Sequence, residues 1–191
     1  GVMVAYGVIQ YLDGKDMLES AGVATEALKE FVLNEDAQTA YRSYLRKVGQ
    51  SYGNDTAEAI RKVLATSDSN GWSVKETKDA LRGIMNTDEW RIKRLAETEL
   101  NRSQSMGGLE SMKQIQAEAG TDIEKSLSHE GSSTVPCEFC RSLENRWMRV
   151  DQPIVALGET LDGADGGTFI NDFVDIEAGD VHPNGKGTTV Y

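Results

Sequence analysis

The sequence predicts a mainly helical α+β protein: an N-terminal helical region and a long central helix, followed by a small β-containing C-terminal segment. Apolar residues in the first two-thirds recur at three- and four-residue steps, the spacing of one helix face. Two stretches have the Ser/Thr/Asp-x-x-Glu spacing of helix starts. Beyond Gly120, glycines and turn signals multiply while apolar runs shorten, which is the texture of short strands.

Taken in order, Met17, Leu18, Ala21, Thr25, Leu28, Phe31 and Val32 trace a first helical face. It resumes at Tyr41, Tyr44, Leu45 and Val48, and Asn34-Glu35-Asp36 reads as either a break or a solvated turn. Gly49 and Gly53 end the run. Asp55-Thr56-Ala57-Glu58 is a capping box that predicts a short helix with Ile60, Val63 and Leu64 inward. Ser67 to Gly71 reads as a polar loop. Ser73-Val74-Lys75-Glu76 is a second capping box, ahead of Leu81, Ile84 and Met85. The longest helix is predicted from about Thr87 to Ala119, with Asp88 and Glu89 suiting the positive end of its dipole. Gly107-Gly108 would cost it about 2 kcal/mol relative to alanine, which predicts a kink, a close helix contact or a break there. Thr121-Asp122-Ile123-Glu124 offers one more short helix start, and Ser128 to Pro136 a loop. Arg146–Val150, Ile154–Leu157 and Thr168–Ile176 are strand candidates, with tight turns at Asp162-Gly163 and Asp165-Gly166-Gly167. The tail from Gly185 is rich in glycine and threonine.

The 191 residues suit one domain or two small ones. Apolar residues make up 39%, enough for a core but not a generous one. The net charge of -11 argues against a general binder of nucleic acid or anionic membrane, both of which call for a basic surface. No apolar run is long enough to span a bilayer. The first twelve residues lack the basic lead and cleavage site of a signal peptide. Two cysteines are too few for a disulfide-stapled secreted domain, so assembly in a reducing compartment is expected. Gly1 rather than Met opens the numbering, as in a piece of a longer precursor or fusion.

Three groups of residues invite a chemical reading. On the inward stripe of the long helix, Glu99 and Arg102 fall where apolar residues are expected, three apart and able to meet. Buried, they form a structural ion pair whose rupture costs about 3–5 kcal/mol; exposed, the pair is worth at most about 1 kcal/mol. Cys137-Glu138-Phe139-Cys140 has the spacing of a zinc clamp, but only His129 and His182 could complete it, at distances unlike a zinc finger. The other readings are a redox pair, which lacks a thioredoxin-like surround, and two packed thiols. Finally, Phe31, Tyr41 and Tyr44 give the N-terminal helices an apolar and aromatic face, either a partner-binding surface or the protein's own core. Asp162-Gly163-Ala164-Asp165-Gly166 lacks the alternating acids of a calcium loop, and no nucleophile–base triad can be assembled from two distant histidines.

Arg91-Ile92-Lys93-Arg94-Leu95-Ala96-Glu97-Thr98-Glu99 with Asn101-Arg102 comes first; Cys137, Cys140 and Leu143 follow, then His182-Pro183-Asn184. In this order and at these distances, the chain resembles the Mu F-like family of phage head-morphogenesis proteins over about residues 73 to 184. It departs from that family's pattern at Glu97, where the family has arginine, and at Gly185-Lys186-Gly187, where the family has Cys-Arg-Cys. The resemblance implies a non-enzymatic minor head protein of a tailed phage. It implies a virion component inside the capsid near the portal, reached from the host cytoplasm during assembly. Its partners would be the portal protein and other head proteins, with several copies around the ring, no sequence-specific nucleic acid and no membrane. Residues 1–86 would be a helical arm that docks on the portal, and 87–191 the Mu F-like core. No cofactor is expected unless Cys137, Cys140 and His182 are a three-ligand remnant for zinc. The competing reading is a zinc- or thiol-dependent enzyme, or an injected effector, built around those same three residues.

Overall fold

The computed structural model describes residues 7, 11, 15–16, 20, 31–32, 34–50, 54–85, 89–130, 135–179 and 187–191. Among the described residues, the elements with defined bounds are α1 (Glu35–Gln50), α2 (Asn54–Asn70), α3 (Val74–Arg82), α4 (Glu89–Ala119), β1 (Glu124–Ser128), α5 (Glu138–Leu143), β2 (Met148–Arg149), β3 (Thr160–Asp162), β4 (Thr168–Ile170) and β5 (Thr188–Val190). This is the predicted α+β, mainly α architecture. Most of the first predicted helical face, from Met17 to Leu28, lies outside the described residues.

Each helix boundary has a local cause. Asn34 starts α1: its side-chain oxygen accepts from the Asp36 N–H at 2.8 Å, filling one of the donors that a helix start leaves open. Helix α2 runs on through Asn70, through what reads as a polar loop. Gly71 closes it in a left-handed turn (φ 65°). The Gly71 N–H reaches back to Asp68 O at 3.2 Å and the Trp72 N–H to Ser67 O at 3.0 Å, the pairing of a Schellman closure. Ser67 is buried because its hydroxyl meets that of Thr77 on α3 at 2.5 Å. The Thr77 hydroxyl hydrogen goes to Ser73 O at 3.0 Å, so Ser67 is the donor. At Ser73 the predicted capping box forms in both directions, the Glu76 carboxylate accepting from the Ser73 N–H at 2.8 Å.

Helix α4 is continuous through Gly107 and Gly108, so the double glycine is not a break. It serves close approach. A Cβ on helical Gly7 would stand 3.0 Å from Gly107 O and 2.5 Å from the Phe31 ring, so two backbones meet where a side chain cannot fit. One apolar cluster packs Tyr41, Ile60, Leu64, Leu81 and Met85 against Ile92, Leu95 and Ala96 of α4. Another packs Tyr11 and Phe31 against Leu109, Met112, Ile115, Val150 and Ala178. Both clusters cross residue 86. The boundary predicted there is therefore a change in what the chain forms, with core shared across it.

The C-terminal part is a three-stranded antiparallel sheet in the order β2-β1-β5 beside a β3–β4 hairpin. Glu124 pairs with Arg149 and Ser126 with Val190. The predicted helix start at Thr121 instead leads into strand β1 at Glu124, because pairing on both edges outweighs the local cap signal. Of the strand candidates, Arg146–Val150 contains β2 and Thr168–Ile176 contains β4. Ile154–Leu157 supplies one antiparallel bridge, Val155 to Ile176. Strands β3 and β5 lie outside the strand candidates of the sequence, although Thr188, Thr189 and Val190 are all β-branched. Around Cys140, a third cluster joins Leu127, Leu143, Ile154, Val155, Leu161 and Ile176.

Candidate functional site

Helices α1 and α4 and the segment 174–178 border a half-open cavity of about 260 Å³, lined by Tyr41, Ser43, Tyr44, Arg102 and Met106 on the helical side. Val174, Asp175, Ile176, Glu177 and Ala178 form the opposite wall. That wall is held in place by Asn171. Its buried amide nitrogen lies within hydrogen-bond reach of three carbonyls, Val155 at 3.2 Å, Ala156 at 3.0 Å and Val174 at 2.6 Å.

Glu99 stands behind the helical wall, buried at 4% exposure. Tyr44 donates its hydroxyl to Glu99 Oε1 at 2.9 Å, whereas Oε2 has no hydrogen-bond partner among the described residues. Burial raises the Glu99 carboxyl above its usual range; the nearby Arg102 charge and the Tyr44 hydrogen bond pull it partly back. Arg102 shares the face with Glu99, as its spacing predicts. Among the described residues the two form no ion pair within contact distance. Arg102 instead lays its guanidinium over the Tyr44 ring, 4.3 Å from the centroid, so a stacked tyrosine stands in the place of the expected salt bridge. The geometric reason is that Tyr44 reaches Glu99 from α1 and takes the position the guanidinium would need.

Of the three residues of the predicted partner face, Phe31 and Tyr41 are buried, at 8% and 7% exposure. They belong to the protein's own core, which corrects that expectation for both. Tyr41 also donates to Glu99 O at 3.4 Å. Tyr44 alone keeps part of its surface, and it meets exposed Phe173 edge to face at 6.1 Å.

Cys137 and Cys140 stand as thiols at the start of α5. Cys137 caps that helix: its sulfur accepts from the Cys140 N–H at 3.4 Å. Cys140 is buried in the cluster with Leu127 and Leu143. Between them, Glu138 turns its carboxylate to the β3–β4 turn and accepts from the Gly167 N–H at 2.9 Å. A Cβ at Gly163 or Gly167 would run into that carboxylate, which explains the glycines of the turn. His129 pairs with Glu144, Nδ1 to Oε1 at 3.0 Å. His182, the third zinc ligand of the predicted set, lies outside the described residues. Among the described residues, no three His, Cys, Asp or Glu side chains gather as metal ligands.

One buried group was not legible in the sequence. Lys125, the second residue of β1, is fully enclosed, and its ammonium donates to Val150 O at 3.1 Å and Glu177 O at 2.7 Å. Burial pulls its pKa down to about 8, against the opposing pull of Glu177. A lysine in a short polar stretch carries no signal of this; only the tertiary pairing of β1 encloses it.

No protein-family model, curated protein or solved structure matches this chain. Among the described residues, no helix is long and apolar enough to cross a membrane.

Proposed function

We propose that this chain is a minor structural protein of a tailed-phage head, that it binds the portal on the capsid-interior side, and that it serves head assembly or DNA packaging and ejection. The reading starts from the ordered motifs of the sequence. The observation that carries it is how those motifs are employed: as scaffold. Glu99 and Leu95 of the long-helix motif are buried in the helical core. Cys140 and Leu143 are buried in the C-terminal core, and Cys137 caps a helix. Groups enclosed in this way fix a shape and are poorly placed to meet a substrate, so attachment is the better account of them than reaction. The acidic balance agrees with a protein housed beside condensed DNA without binding it at large.

Co-purification with assembled portal rings tests the proposal. The expected outcome is co-elution in several copies per ring, while a chain that remains monomeric beside intact rings overturns it. Metal analysis of the same preparation addresses the competing enzyme reading. Stoichiometric zinc with an open coordination position would favour that reading over this one.

A further inference from the structure

Arg102 is half-buried in the cavity wall, where its guanidinium lies on the face of Tyr44 and its charge acts on the buried Glu99. A guanidinium carries five N–H donors in a planar fork, matched to the two oxygens of a carboxylate. Here none of the five has an acceptor among the described residues. Around the fork the wall is predominantly apolar: Tyr41, Tyr44, Met106, Val174, Ile176 and Ala178. The volume, about 260 Å³, is that of roughly nine water molecules at about 30 Å³ each, enough for a compact organic molecule of a similar number of heavy atoms.

We infer that this cavity is a binding site for a small carboxylate with an apolar or aromatic body, the carboxylate taken by Arg102 and the body by the tyrosine and aliphatic walls. The other two charged residues of the lining are acids, each facing a donor or a cation away from Arg102. Asp175 accepts from the Leu157 N–H at 2.6 Å, and Glu177 faces Lys113 at 3.7 Å. Among the described residues Arg102 is the one cation of the lining, and Glu99, the acid nearest to it in sequence on the same face, lies behind the wall with Tyr44 bonded to it. The same chemistry could come from a free acid or from the C-terminal carboxyl of a peptide with an aromatic last residue. This inference stands independently of the portal reading.

The test is titration of the whole chain, followed at the Met106 methyl by NMR, with benzoate, benzamide, benzylamine, and a short peptide ending in phenylalanine as the free acid or the amide. Benzoate or the free-acid peptide is expected to shift Met106 saturably, and the response of one against the other distinguishes the two sources. The neutral amides should bind roughly ten- to a hundredfold more weakly, the loss expected for charge-assisted hydrogen bonds. Arg102→Met should reduce carboxylate binding to the level of the amides, and Arg102→Lys should recover part of it. Equal binding of acid and amide overturns the inference, as does preference for benzylamine or silence of Met106 with every carboxylate. If R102M does not fold, the selectivity of the parent chain between acid and amide decides alone.

Discussion

Glu99 has one carboxylate oxygen held by Tyr44 and the other with no donor among the described residues, so its charged form is the costly one. Its folded pKa is raised above 4.5, so the unfolded chain loses this proton first as pH increases. The stability it contributes is full below about pH 4.5 and is lost as pH rises through the folded value. Glu99→Gln keeps an acceptor for Tyr44 and removes the charge. It is expected to be at least as stable as the parent at pH 7, with a flatter stability profile from pH 4.5 upward in denaturant titrations. Lys125 works in the opposite sense. Its pKa falls from 10.5 to about 8 on folding, so between those values the unfolded chain holds more protons and stability rises with pH. Lys125→Met should cost about 1–3 kcal/mol at neutral pH, because two buried carbonyls lose their donor. The variant should also lack the rise between pH 8 and 10. The sequence placed Glu99 and Arg102 on one face from spacing alone. That Tyr44 would stand between them was not legible, because it depends on how α1 lies on α4.

At the scale of the element, the clearest signals in the sequence were those whose cause lies within four or five residues. The Ser73 capping box is one; Ser73→Ala should cost about 0.5–2 kcal/mol. Gly71 is another. A Cβ there would touch nothing within 4 Å, so Gly71→Ala isolates the backbone cost of the left-handed conformation, about 1–2 kcal/mol. Both are read as a fall in melting temperature, about 2–4 °C per kcal/mol at this chain length. Where a partner far along the chain decides, local signals misled. Ser67 looked like loop until Thr77 buried it, and the Thr121 cap became the approach to a strand paired with Met148–Arg149 and Thr188–Val190. Glu138 was hidden inside a motif read for its cysteines, yet it is the group that shapes the glycine turn after β3.

For the molecule as a whole, the shared clusters decide what can be removed. Cutting at residue 86 takes Tyr41, Ile60, Leu64, Leu81 and Met85 from the surface of α4, and Tyr11 and Phe31 from its far end. Residues 87–191 alone are therefore expected to lack a cooperative thermal transition and to bind a hydrophobic dye, whereas an independent core would melt sharply. The same organisation explains why the fold class was legible while the sharing of core across residue 86 was not: periodicity reports an element's type but not which neighbour buries it. Strand β5 lies along β1 in the register Ser126 to Val190, Leu127 to Thr189 and Ser128 to Thr188. During synthesis, β1 leaves the ribosome long before its partner exists, with one edge open and Leu127 without its full cover. Pairing so distant in sequence is slow to nucleate and exposed to wrong partners in the interval. The helices can assemble early as the chain emerges, but the sheet must wait for residues 188–190, so crowded nascent chains would go astray first at β1.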